Sequence, residues 1–122
     1  TSWSEVEKHR SVADQHYRIA SKFRDWGIPT AECINEIRLG LSKIPLIASG
    51  GLRGGLELAK AIALGANIGG IAGPFLSAAN RSVESVLTLI QEIELELRIT
   101  MFAAGVVDIR SLANTPLVRK SK

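Results

Sequence analysis

A chain of 122 residues with 46% apolar and 22% charged residues has the size and composition of one globular domain. A net charge of +3 does not indicate a nucleic-acid or membrane surface, since much of the basic excess lies in the last four residues, Arg119 to Lys122. One cysteine, Cys33, excludes an internal disulfide and is typical of a reducing compartment. We therefore expect a cytoplasmic protein that binds neither nucleic acid nor membrane.

Helical patterns occupy the first third of the chain. A capping box within the first seven residues predicts a helix from residue 4 to Trp26, ended by the glycine and the proline that follow. Thr30 then fits the cap of a second helix over 31–41. In that helix Cys33 is expected to be a small core residue.

Short apolar runs alternate with helical patterns in the rest of the chain. The predicted elements are a strand over 46–49, a helix over 55–64, a strand over 67–72, a long helix over 82–104 with a broad apolar core face, and a short helix over 108–112. Strands that are buried on both faces have continuous apolar sequences. We therefore interpret the uncharged stretch 61–79 as part of a buried sheet and not as a membrane-spanning segment. We expect one domain over 1–122, with a tail over 106–122.

A glycine-rich turn follows the first predicted strand directly. It reads Gly50-Gly51-Leu52-Arg53-Gly54-Gly55 and matches neither the dinucleotide fingerprint nor the Walker loop. Glycines let the backbone approach a ligand, and the amides that open the next helix favour negative charge. Arg53 adds a bidentate grip on phosphate. The pattern predicts a phosphate cradle at the carboxyl end of a buried strand; the alternative is an ordinary turn that binds nothing.

A second glycine turn, over 69–75, follows the next predicted strand. A strand, a helix and a second strand make a βαβ unit, which places both turns on the same side of a parallel sheet. The last two strands of a (β/α)8 barrel frequently hold one phosphate in this way, and Pro74 suits a first helical position. Two strands cannot close a barrel that needs roughly 250 residues. We therefore expect an α/β fold in which residues 1–122 form the C-terminal portion of one TIM-barrel domain.

Motifs along almost the whole chain carry a family resemblance. In order, they are Thr1-Ser2-Trp3, Ile28-Pro29-Thr30, Ile47 to Gly55, Ala59-Lys60-Ala61, Ala63 to Ala66, and Ala72 to Leu76. Together they resemble the C-terminal part of type 2 isopentenyl-diphosphate isomerases. The central motif is shared by many FMN-dependent barrels, whereas the Thr-Ser-Trp opening and the Ile-Pro-Thr segment favour the isomerases.

That resemblance implies an enzyme that interconverts isopentenyl diphosphate and dimethylallyl diphosphate with reduced FMN. It further implies NADPH to reduce the flavin, Mg²⁺ to bind the substrate diphosphate, and a homo-oligomer that is a tetramer or larger. The residues that it assigns to the FMN phosphate are Gly51, Leu52 and Arg53, flanked by Gly50, then Ala72 and Gly73, and Thr1 in a third segment. Catalytic, substrate and metal residues are expected upstream of Thr1, so the chain alone is expected to be inactive.

Two features depart from the resemblance. Many isomerases have an arginine where Gly73 stands, which leaves Arg53 as the only obvious cation in the two turns. At the position of Gly54-Gly55, a small polar residue followed by glycine is commoner in the family. The glycine pair is expected to loosen the first turn slightly.

Two alternatives stay open. Another FMN barrel, such as a 2-hydroxy-acid oxidase, would share the phosphate turns, but it needs a catalytic His followed by an Arg on the loop before the first helix. Ser2-Trp3-Ser4 offers neither. A non-catalytic helical module whose apolar faces bind a partner is the second alternative. His9 and His16, seven residues apart, are interpreted as surface or half-buried helix residues rather than ligands.

Overall fold

The structure, a computed structural model, describes residues 14–118, and the statements below concern that part of the chain. In chain order the elements are α1 (Asp14–Lys22), α2 (Thr30–Gly40), β1 (Ile47–Ser49), α3 (Gly55–Ala63), β2 (Ile68–Gly70), α4 (Gly73–Ala79), α5 (Val83–Ala103) and α6 (Ile109–Leu112). Helices and a short parallel sheet occur together, which confirms the predicted α/β class. Every helix in residues 14–118 is too short or too polar to span a bilayer.

Most predicted elements lie within a few residues of their expected bounds. The first helix is the main exception at its end, because α1 stops at Lys22 and the chain is already in a turn before Trp26. The Trp26 ring is exposed and meets Phe23 edge-on, with the ring centroids 5.9 Å apart. The predicted start of this helix near residue 4 lies outside the described residues.

β1 and β2 form a two-stranded parallel sheet, with Ile47 opposite Ile68 and Ser49 opposite Gly70. Among the β1 residues only Ala48 is buried, and it lies in an apolar cluster with α2 and α3. The other face carries Ile47 and Ile68, which are 64% and 57% exposed. The prediction of strands buried on both faces is therefore wrong for the described residues, because their helices cover only one face of the sheet.

Two small apolar clusters hold the helices in place. The first joins α2, the sheet and α3, and contains Ile34, Ala48, Leu52, Ala61 and Ala66. The second joins α3, α5 and α6, and contains Ala59, Ile62 and Leu112, with Leu97, Met101 and Val106 packed against it. Three of the five buried residues of the first cluster are alanines, so the backbones approach closely there and small changes in side-chain volume will be felt.

The C-terminal segment contributes to this core. Leu112 is only 2% exposed and is the largest fully buried side chain in the described residues. Val106 packs against the same cluster. The part of the predicted tail over 106–112 is therefore packed, and a turn and then irregular chain follow it up to Val118.

The long helix α5 packs less broadly than its apolar stripe predicts. Leu97 and Met101, in its second half, contact the second cluster. Val83, Leu87 and Ile90, in its first half, are exposed. The prediction that the whole stripe is a core face is wrong for the described part of the chain, because periodicity shows which residues share a face but not what covers it.

Arg38 connects the two loops that lead into the amino ends of the strands. Its Nε donates to the Gly65 carbonyl at 2.6 Å, and its Nη1 donates to the Ile44 carbonyl at 2.7 Å. Its Nη2 donates to Oδ1 of Asn67 at 2.7 Å, and the same oxygen accepts the Leu46 N–H at 2.8 Å. A planar guanidinium can serve all three directions at once. It therefore fixes the segments that enter β1 and β2 relative to α2.

We expect Arg38→Lys to lower the free energy of unfolding by about 2 kcal/mol, since one ammonium cannot reach three diverging acceptors and leaves polar groups unpaired. Chemical denaturation of the purified protein measures this. Arg98→Lys is the matched control, because Arg98 is exposed and pairs only with Glu94 on the same helix surface. Equal losses in the two variants would contradict the role given to Arg38.

Asp108 caps α6, the helix that carries Leu112. Its Oδ1 accepts the Ser111 N–H at 2.7 Å. Hydrogen bonds from the Ser111 hydroxyl and then from the Ser111 N–H lower the pKa of the Asp108 carboxyl from its ordinary value of 3.8. A lowered folded-state pKa means that this stabilisation is present above pH 3.8 and is lost as the pH falls through the lowered pKa.

Asp108→Asn is therefore expected to flatten the acid limb of the stability curve, because an asparagine oxygen accepts the same hydrogen bond without titrating. Denaturant titrations at a series of pH values below 3.8 measure the slope. Parallel curves for the wild type and the variant would show that the cap does not contribute to acid sensitivity.

Candidate phosphate-binding site

Both glycine turns leave the same edge of the sheet. The first begins at Gly50, directly after Ser49, and the second begins at Ile71, directly after Gly70. Ser49 and Gly70 are partners in the parallel register, and the Ser49 hydroxyl donates to the Gly70 carbonyl at 3.4 Å. The prediction that the two turns lie side by side is confirmed by this register.

The first turn leaves backbone donors without backbone partners in the described chain. Gly50 and Gly51 have φ angles of +98° and +78°, a region that side-chain-bearing residues rarely adopt. Leu52 is buried in the first cluster, so its side chain anchors the middle of the turn. The N–H groups of Gly51, Leu52 and Arg53 bond to no backbone carbonyl within residues 14–118. These donors are available to an acceptor such as a phosphate oxygen.

Arg53 adds a cation to the same turn. Its side chain is exposed, and no hydrogen bond or ion pair joins it to another residue in the described part of the chain. A guanidinium that is not committed to an internal acceptor can pair with an incoming anion.

The second turn opens α4. Ala72 occupies the N-cap position without a side-chain hydrogen bond, and Pro74 lies in the first turn of the helix, where a missing N–H costs little. No described atom lies within 4 Å of the place where a Cβ on Gly73 would stand. Ala72 and Gly73 are both exposed, so space and backbone donors occur together here.

Thr30 contacts the first turn from α2. Its hydroxyl donates to the Gly50 carbonyl at 2.8 Å and lies 3.4 Å from the Ser49 carbonyl. The predicted role of Thr30 as a helix cap is wrong, since Pro29 holds the cap position and no side-chain cap is formed. A threonine at the start of a helix is typical of a helix cap. Its actual partner, the Gly50 carbonyl, lies 20 residues away, and no local sequence pattern indicates that contact.

Glu96 contacts the far end of the same turn from α5. Its Oε2 accepts the Gly55 N–H at 2.6 Å. The expectation that the amides opening the next helix point at the phosphate is therefore wrong at Gly55, whose N–H already has a carboxylate partner. No local pattern indicates this contact, because Glu96 lies 41 residues away and is one of several acidic residues of its helix.

Gly54 and Gly55 are buried where α3 crosses α5. A Cβ on Gly55 would lie 2.6 Å from the Leu97 nitrogen and would also collide with the Ile93 carbonyl. A Cβ on Gly54 would collide with the Glu96 carboxylate. The pair allows close packing of the two helices, a role that was not predicted from the sequence, and the expected loosening of the turn stays a prediction.

Gly55→Ala is expected to lower the free energy of unfolding by about 2 kcal/mol, since backbone atoms of α5 would have to move. Gly40→Ala serves as the control, because no described atom lies within 4 Å of the added methyl group. That variant should be neutral or should stabilise the protein by no more than about 1 kcal/mol. Thermal or denaturant unfolding of both variants tests the difference, and a neutral Gly55→Ala would refute the packing role.

Three residues singled out in the sequence are not seen at the described site. Thr1 and His9 lie outside the described residues, and His16 is exposed on α1. Within residues 14–118, no group of three His, Cys, Asp or Glu side chains is placed to hold a metal ion, so none of these residues is assigned to Mg²⁺. Cys33 is half-buried and free.

Two parallel strands joined through a helix, with a glycine turn after each strand, define an α/β protein with a candidate phosphate-binding edge. A family model described as FMN-dependent dehydrogenase matches residues 22–119. The chain therefore belongs to the FMN-dependent dehydrogenase family.

Similarity to individual proteins is more specific. The chain is 48% identical to the isopentenyl-diphosphate delta-isomerase of Vibrio campbellii over 112 residues, which are 92% of this chain and 33% of the relative. It is 47% identical to the protein of that name from Synechococcus over 98% of this chain and 34% of the relative. It is 45% identical to the protein of that name from Sulfurisphaera tokodaii, over 97% of this chain and 32% of the relative. These findings confirm the resemblance, and the chain spans about a third of the length of these relatives.

Proposed function

We propose that this chain supplies the FMN-phosphate site of an enzyme that interconverts isopentenyl diphosphate and dimethylallyl diphosphate. Membership of the FMN-dependent dehydrogenase family and the names of the similar proteins support this proposal. The observation that carries it is the parallel register, which places Ser49 beside Gly70 and so brings the two glycine turns to one edge.

The residues at this edge fit a phosphate monoester. Three backbone N–H groups, from Gly51, Leu52 and Arg53, have no backbone partner in the described range, and a phosphate dianion can accept all of them. Gly50 gives the turn its shape through its positive φ. On the second turn, Ala72 and Gly73 contribute open space and a helix start. Thr1 remains proposed as a third contact, outside the described residues.

The proposal also concerns the architecture around this edge. Residues 1–122 would form the C-terminal portion of a (β/α)8 barrel, with β1 and β2 as neighbouring strands. The exposed sheet face that carries Ile47 and Ile68 supports this placement, because the interior of such a barrel is filled by branched apolar side chains from its strands.

Bound reduced FMN would supply an acid/base group for an isomerisation without net redox change. The described residues of this chain bind and orient its phosphate, and none of them is placed as the catalytic acid or base. NADPH as the reductant, Mg²⁺ with the substrate diphosphate, a cytoplasmic location and a homo-oligomer belong to the same proposal, as the resemblance to the isomerases implies.

Arg53 provides the most direct test. In the natural protein that carries this sequence, Arg53→Ala is expected to weaken FMN binding by about 1.5–3 kcal/mol, the range for hydrogen bonds to a charged group. Arg53→Lys should recover part of the loss, since an ammonium lacks the planar fork. Flavin fluorescence titration measures both affinities. Arg98→Ala is the control, because Arg98 pairs on the exposed surface of α5; an unchanged affinity in Arg53→Ala would place the phosphate elsewhere.

A 2-hydroxy-acid oxidase is the second candidate, because the matching family model is described as a dehydrogenase. Assays of the natural protein with isopentenyl diphosphate under reducing conditions, and with lactate under oxidising conditions, separate the two. We expect conversion of the diphosphate and no oxidation of lactate; the opposite result would replace the proposed activity while leaving the FMN site in place.

A further inference from the structure

The first glycine turn has little internal hydrogen bonding. Between Ser49 and Gly55, the N–H groups of residues 51–53 bond to no backbone carbonyl within the described chain. Two of its residues have positive φ and lack side chains that would restrict them. Such a turn is mobile unless other elements hold it, and ordering it on binding would cost affinity.

Side chains from two helices hold this turn at its two ends. Thr30, from the start of α2, donates to the Gly50 carbonyl at 2.8 Å. Glu96, from α5, accepts the Gly55 N–H at 2.6 Å. Leu52 fills the first apolar cluster between them. The turn is thus fixed at its beginning, middle and end by residues that leave the N–H groups of 51–53 unoccupied.

Both helices are themselves anchored, so their side chains can act as fixed points. Ile34 of α2 is buried in the same cluster as Leu52, one helical turn from Thr30. α5 packs closely on α3, and Glu96 lies beside the crossing at Gly55. A rigid supporting shell of this kind keeps donors in place before the ligand arrives.

The Glu96 carboxylate also limits where an anion can bind. It occupies the Gly55 N–H, the first amide of α3, where the helix dipole would otherwise attract a phosphate. An incoming phosphate is therefore kept from the Gly55 N–H, whereas the amides of residues 51–53 and the second turn stay without such a partner in the described chain.

We propose that Thr30 and Glu96 are positioning residues for the phosphate turn, which they hold in its binding conformation without contacting the ligand. This inference rests on the proposed FMN-phosphate site. It predicts that their loss weakens the binding of ligands that carry the phosphate and spares the binding of ligands that lack it.

The experiment compares FMN with riboflavin, which has the same ring and ribityl chain but no phosphate, in the natural protein. Thr30→Val and Glu96→Ala are each expected to raise the dissociation constant for FMN about tenfold, the loss of one hydrogen bond's contribution, and to leave that for riboflavin unchanged. Thr30→Ser and Glu96→Gln retain an oxygen at the same place and should stay within about twofold of the wild type. Thr88→Val is the control, since the Thr88 hydroxyl donates only to Glu84 of its own helix.

Equal loss of FMN and riboflavin affinity would indicate a general structural effect and overturn the positioning role, as would unchanged FMN affinity in both variants. Thr30→Val conserves side-chain volume, so it decides the question by the same criteria if Glu96→Ala does not fold. A wild-type protein that binds riboflavin as tightly as FMN would instead overturn the proposed phosphate site itself. A wild-type preference for FMN that both variants retain would overturn only the positioning role.

Discussion

The parallel pairing of β1 with β2 is the constraint on which the candidate site depends. Each strand has three residues, and the register sets Ser49 beside Gly70, so the chain leaves both strands at one edge. A two-stranded sheet is marginal by itself. Arg38 supports it at the amino ends by joining the loops that enter both strands, while Ser49 and Gly70 are joined at the carboxyl ends. A shift of this pairing would separate the two turns.

Four glycines in one short motif have two different roles. Gly50 and Gly51 are needed for their backbone conformation, since both have positive φ. Gly54 and Gly55 are needed for space, because α5 lies where their side chains would be. The first pair shapes the turn that offers its N–H groups, and the second pair lets the supporting helix approach. One motif therefore serves packing and, under the proposed function, ligand binding, and the two roles are separable by mutation.

The proposed function offers an explanation for the apolar surfaces of the described chain. The isomerases that it matches are about three times as long, so the face with Ile47 and Ile68 and the first half of α5 have neighbours in a complete enzyme under the proposed function. The candidate phosphate edge has supporting contacts within the described chain. Its supports, Thr30, Leu52 and Glu96, all belong to the described residues.

Much of the fold could be predicted from the sequence, because helices and turns follow local rules. Apolar spacing predicted α2, α3 and α5 to within one or two residues, and glycines directly after apolar runs predicted both turns. A βαβ pattern then predicted that the turns share an edge, since parallel strands joined through a helix leave no other arrangement. The same motifs led to the family that the comparisons confirm.

Contacts between residues far apart in the chain could not be predicted in this way. Thr30 reads as a helix cap, Glu96 as one of several surface carboxylates and Arg38 as an ordinary basic residue of a helix. The Gly50, Gly65 and Gly55 groups that they contact lie 20 to 41 residues away, and only the packing of α2, α3 and α5 around the sheet brings them within hydrogen-bond distance. The sequence by itself determined the elements and the chemistry of the turns. The tertiary structure alone decided which side chains hold those turns in place, because that depends on distances that no local pattern encodes.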